Sequence, residues 1–183
     1  MLRKPTPADL AAAVGLTIPD VAAPGLTVLF CGINPGLYSA ATGYHFARPG
    51  NRFWPALYRS GFTSRLLDPS EQELLLADGL GITNLAARAT ARADELTASE
   101  LTEGAAILTA KLARLRPRWL AVLGVTAFRT AFGQKAAAVG PQAPIGTTQV
   151  WVLPNPSGLN ASWPTPRLEA AFAELRQLAE VLG

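Results

Sequence analysis

Four short runs of this chain are apolar at nearly every position, and they limit the fold more than any other feature. They are residues 26–30 (LTVLF), 80–85 (LGITNL), 119–123 (WLAVL) and 149–153 (QVWVL). A strand with one wet face alternates apolar and polar residues. A strand apolar on both faces must be covered on both, as in parallel sheets. The intervening segments carry helical spacing. Residues 52–60 place Phe53, Leu57 and Tyr58 on that period before a stop at Gly61, and residues 70–78 read as a second helix. Residues 100–115 repeat Leu101, Ile107, Leu108, Leu112 and Leu115, Gly124 opens the helix VTAFRTAF, and 168–182 forms a closing amphipathic helix. Strands alternating with helices predict an α/β fold around a mainly parallel sheet.

A chain of 183 residues suits one domain, read as residues 25–183, behind an N-terminal extension of residues 1–24 made of a short helix and a linker. The extension begins with basic residues followed by small and apolar ones, the outline of a signal peptide. Pro5, Pro7 and Asp9 interrupt that outline, and helix grammar explains it better: Thr6 caps, Pro7 takes the first position and Gly15 closes the turn. Cys31 is the one cysteine and His45 the one histidine, so neither an internal disulfide nor a Cys/His zinc cluster is possible. We therefore expect no metal, no cofactor and a reducing, cytoplasmic setting. No run reaches the ~20 apolar residues of a membrane span. A net charge of +3 fits a polyanionic partner without establishing one. A monomer is the default.

Ligands of open parallel sheets bind outside the carboxyl ends of the strands. Two of the predicted strand ends carry unusual loops, Gly32-Ile33-Asn34-Pro35-Gly36 and Pro154-Asn155-Pro156-Ser157-Gly158. Neither has the spacing of a phosphate-cradling P-loop or of a dinucleotide fingerprint. In the first loop, Asn34 offers a neutral amide whose oxygen can hold a water; the competing reading is a turn in which Asn34 bonds its own backbone. In the second, small residues allow close approach and Leu159 can wedge between base steps, unless it folds back into the core. Between the loops, residues 44–54 (YHFARPGNRFW) interleave aromatics with arginine, and Phe46 precedes the helix in a loop where a ring can stack on a base.

With these words in view, the sequence resembles the mismatch-specific (thymine/uracil mismatch) branch of the uracil-DNA glycosylase superfamily. GINPGLYSA at 32–40, FARPGNRFW at 46–54 and WVLPNPSGLN at 151–160 occur in the family's order, and the likeness runs from about Asp20 to the last helix. The resemblance implies a three-layer αβα sandwich with a short, mostly parallel central sheet. It implies that the chain hydrolyses the N-glycosidic bond of uracil mispaired with guanine in double-stranded DNA, in base excision repair. Asn34 then positions the hydrolytic water, and Phe46 stacks on the flipped base. Ile33, Ser39 and Tyr44 belong to the base pocket. Asn155, Pro156, Ser157, Gly158, Leu159 and Asn160 form the loop that enters the duplex.

The sequence also departs from the pattern. The fast uracil-specific branch has a histidine where this chain has Asn155, which argues for slow turnover. After Leu159 the family often continues with serine and a nearby arginine, but here Asn160-Ala161-Ser162-Trp163-Pro164 follows. A carboxylate could assist the weak asparagine, and Asp94 is the candidate; its alternative is a solvent-exposed acid at a helix end. Arg48, Arg52 and Ser157 are candidates for phosphate contact. Two rival readings remain: a Cys31 hydrolase using His45, and a mismatch-binding module without catalysis.

Overall fold

The computed structural model describes residues 2–181, so Leu182 of the expected closing helix, together with Met1 and Gly183, lies outside the described residues. Five strands form one sheet: β1 (Val28–Gly32), β2 (Leu80–Asn84), β3 (Trp119–Leu123), β4 (Gly140–Ile145) and β5 (Thr148–Leu153). Their order is β2-β1-β3-β5-β4; every pairing is parallel except the hairpin of β4 with β5. The four apolar runs are the four parallel strands, as expected. β4 was not: its sequence, GPQAPI, has two prolines and no apolar alternation, and proline is confined to strands that need not donate inward.

Period-two geometry sorts the strand side chains into two cores. Val28 and Phe30 of β1 join Ile82, Leu123, Trp151 and Leu153 beneath α3 (Phe53–Arg59) and α6 (Thr165–Val181). Leu29 and Cys31 face the other way, with Leu120, Val122 and Val152, against α4 (Ala98–Leu115) and α5 (Val125–Phe132). This is the three-layer αβα sandwich. α4 sits so close that a Cβ on Gly104 would stand 2.1 Å from the carbonyl oxygen of Leu85. That contact fixes the course of the chain after β2.

The helices follow their end signals. α1 (Pro7–Ala12) begins with a Thr6/Asp9 capping box and proline at its start, and α4 with a Thr97/Glu100 box. Two differences from expectation stand out. Residues 69–78 are 3-10 rather than α: Gln72 and Leu75 are the buried pair, three apart, which matches a helix of three residues per turn. And Leu37–Thr42, to which the sequence pattern assigned no element, forms a short helix, α2, behind the first loop.

The segment before β1 is laid along the domain. Gly15 N–H donates to Ala89 C=O (2.9 Å), Ala89 N–H to Leu16 C=O (2.8 Å), and Val21 exchanges both backbone bonds with Ile82. Asp20 pairs with Lys111 and accepts from the Thr83 hydroxyl.

Candidate active site

The chain leaves β1 toward β2 on one side and later returns to β3 on the other, so the strand order reverses between β1 and β3. Such a switch point opens a crevice at the carboxyl ends of the strands. A cavity of about 170 Å³ lies there, lined by residues that follow β1 (Ile33, Asn34), end β2 (Asn84) and follow β5 (Asn155). This is smaller than the roughly 300–1,000 Å³ of sites for drug-sized ligands and suits a single ring.

Asn34 is held by residues more than fifty positions away in the chain. Its Nδ2 donates to the Arg88 carbonyl (2.9 Å) and to Thr90 Oγ1 (2.8 Å), and the Thr90 hydroxyl donates on to the Arg92 carbonyl (2.6 Å). A carbonyl only accepts, so the Arg88 contact fixes which end of the amide carries the hydrogens. Both N–H groups are thereby occupied, and Oδ1 has no protein donor among the described residues. The competing sequence reading, a turn closed by Asn34 on its own backbone, is not what forms.

Phe46 supplies one wall. Its φ of +52° is unusual for a bulky residue, and neighbouring hydrogen bonds impose it. His45 N–H donates to Gln72, the His45 carbonyl accepts from the Trp54 indole, and Ala47 N–H donates to Ser39 Oγ. In that conformation the Phe46 ring stacks on Phe53 with centroids 4.1 Å apart. The first strand comes equally close: a Cβ on Gly32 would stand 2.6 Å from Asn84 Oδ1 and 3.2 Å from Phe46. His45 is itself buried, and burial pushes its imidazolium below the usual range, opposed by the Pro19 carbonyl. That carbonyl lies 2.9 Å from Nε2, so Nε2 carries the proton and Nδ1 accepts, facing the Asn84 amide at 3.5 Å.

The second loop projects beside this cavity. Asn155 Oδ1 accepts from Ser157 N–H, Ser157 Oγ from Leu159 N–H, and the Asn160 amide donates to the Asn155 carbonyl. The loop is thus a closed turn with Leu159 78% exposed at its tip. It does not fold back into the core. The geometry is one pocket for a ring, one fixed amide oxygen and one exposed apolar tip. Residues 19–178 match the family model described as "Uracil DNA glycosylase superfamily". The chain belongs to that superfamily. Uracil-DNA-glycosylase-type hydrolysis in DNA repair comes with the membership.

For a glycosylase of this kind the sequence expectations sort clearly. Asn34, Ile33, Ser39 and Phe46 line the cavity together with Asn155, Pro156 and Ser157. Tyr44 is half-buried and is not among the lining residues. Gly158, Leu159 and Asn160 lie outside the ring pocket, along two more open clefts that flank the second loop. Asp94 sits on an exposed 3-10 turn (Ala93–Glu95), its side chain 72% exposed and paired with Arg92, while its neighbour Ala93 lines the pocket. Arg48 is exposed at the pocket mouth, but Arg52 is turned inward onto backbone carbonyls. Cys31 is fully buried on β1 and burial raises its thiol far above the usual range, which removes the thiol-hydrolase reading.

Sequence reasoning passed over Asn84, Thr90 and Ile18, all of which line the cavity. Asn84 had a readable signal, a polar residue at the carboxyl end of an apolar strand. Thr90 had none, because its role depends on where the chain after β2 returns. Among the described residues no three His, Cys, Asp or Glu side chains gather to hold a metal ion, and no helix is long and apolar enough to cross a membrane.

Proposed function

We propose that this glycosylase removes uracil mispaired with guanine from duplex DNA and leaves an abasic site, with thymine and modified cytosines as possible further bases. The observation that carries the reading is Asn34. An amide whose two N–H groups are anchored to Arg88 and Thr90 presents a fixed acceptor oxygen to a ring-sized cavity walled by Phe46. A base inside a duplex is out of reach, so it must be extruded at a cost of a few kcal/mol, less when it is mispaired. Leu159 on its exposed tip fills the gap, and Phe46 stacks the extruded ring.

As the bond between C1′ and the base lengthens, the sugar gains positive charge and uracil leaves with the electron pair. Water held on Asn34 Oδ1 adds its oxygen to C1′, and one of its protons goes to solvent or to the departed base. Asparagine is a poor base, so departure leads, attack follows and turnover is slow. Asp94, exposed on the rim, contributes at most through-space stabilisation of the sugar cation. The described residues that line the cavity include no lysine. Among those residues no primary amine is at hand to attack C1′, which favours simple hydrolysis over strand cleavage.

The test is single-turnover release of free base from G:U, A:U, G:T and single-stranded uracil substrates by the wild type and Asn34→Ala. Release from G:U that collapses in Asn34→Ala supports the proposal. Tight mismatch binding with no release from any substrate replaces it with a recognition module.

A further inference from the structure

The second loop has almost nothing apolar to hold it. Gly158, Leu159, Ala161 and Ser162 are exposed, and within residues 155–162 only Pro156 is buried. Beyond the hydrogen bonds that close its own turn, the loop is tied to the rest of the fold by one residue of the aromatic segment 44–54. Arg52 N–H donates to the Pro156 carbonyl (2.9 Å). Its guanidinium donates to the carbonyls of Trp163 (2.5 Å), Ser157 (2.9 Å) and Asn160 (3.2 Å). Four carbonyls of residues 156–163 therefore converge on a single side chain and its own amide. Gly158 presses on the same segment, since a Cβ there would stand 2.6 Å from the Gly50 carbonyl oxygen. Arg167 closes the far end, its guanidinium 3.8 Å from the centroid of the Trp163 ring.

Arg52 is also the residue before Phe53, which begins α3 and carries the Phe46 ring. We propose that Arg52 is a positioning residue that holds the duplex-entering loop in its working shape and fixes it relative to the base-stacking wall. The inference rests on the reading of residues 155–160 as that loop. A planar guanidinium holds its donors in fixed, separate directions toward several carbonyls, whereas a lysine offers three donors from one nitrogen on a flexible stem. Ordering the loop before DNA arrives removes that entropy cost from binding. The wedge then enters at a fixed distance from the pocket that must receive the base. This need exists only where the base is stacked in a duplex.

The experiment compares wild type, Arg52→Lys and Arg52→Met on two substrates: a G:U duplex, and a duplex with uracil in a one-nucleotide bulge, already unstacked. Backbone hydrogen exchange is followed in parallel at Leu159, Asn160 and Ala161 and in strands β1 and β3. Release from G:U should fall about tenfold or more, while release from the bulge falls less than about threefold, with lysine closer to wild type than methionine. Loop exchange should speed up with the strands unchanged. Equal losses on the two substrates, or loop exchange at the wild-type rate, would overturn the proposal. A wild type that releases uracil from neither substrate sinks the glycosylase reading, and the exchange measurement then still decides whether Arg52 orders the loop.

Discussion

Replacing Thr90 by valine keeps the shape of the side chain and removes one oxygen. That oxygen accepts from Asn34 Nδ2 at 2.8 Å and donates to the Arg92 carbonyl at 2.6 Å, and Thr90 is 3% exposed. Leaving buried hydrogen-bonding groups unpaired costs about 1–3 kcal/mol, which for a chain of this length lowers Tm by about 2–12 °C. The Arg88 carbonyl still holds the amide, so Asn34 loses one of two anchors rather than its place. If 1–2 kcal/mol of orientation is lost in the transition state, uracil release slows by about five- to thirtyfold. The assay is single-turnover release from G:U duplex at saturating enzyme, below the melting onset of the variant. The decisive comparison is a double-mutant cycle with Asn34→Ala. Thr90 is argued to act only through Asn34, so Thr90→Val should cost nothing further once Asn34 is alanine. Losses that multiply would refute the reasoning and give Thr90 a separate role.

Four other outcomes follow from the same structure. Asn34→Ala should lower single-turnover release by about a hundredfold or more, since it removes the group that orients the water. Asp94→Ala should cost less than about fivefold, because an exposed, ion-paired acid acts weakly through solvent; an equal collapse in both would make Asp94 catalytic. Leu159→Ala should leave Tm unchanged, as the side chain is 78% exposed, while raising the enzyme concentration needed for half-maximal release from duplex; a fall in Tm would show that the leucine packs. His45 predicts an acid limit. Its folded pKa is lowered below 6.5 by burial, so above that pH the ring is neutral in both states and stability is fully present. As pH falls from 6.5 toward the lower folded value, the unfolded chain takes up the proton first and stability declines. Thermal melts of His45→Gln should lose that part of the slope.

The parallel strands were legible because burial on both faces leaves a sequence trace, and so was the start of α1, where Thr6 caps; α4 was read from residue 100, while it begins two residues earlier at Ala98, capped by Thr97. β4 was not legible, because a strand bonded along one side can carry Pro141 and Pro144 and need not alternate. In the site, the loops that announce themselves with glycine and proline were found. Asn34 could be named, but its meaning turned on Arg88 and Thr90. Nothing local to GINPG distinguishes a self-bonded turn from an amide anchored across the sheet. Arg52 illustrates the same gap from the other side. As a lone arginine beside aromatics it invites a phosphate reading, and only the return of the chain after β5 shows that backbone carbonyls occupy it.

The two outermost strands have a consequence for how the protein behaves in crowded solution. An exposed strand edge is a template on which another chain can add, the first step toward fibrils. Here Val21 occupies the outer N–H and C=O of Ile82 at the β2 edge. At the β4 edge two of the six residues have no N–H to offer, and the register slips between Gln142 and Ile145. The prolines that hid β4 from the sequence pattern are the same ones that make it a poor surface for strand-by-strand growth.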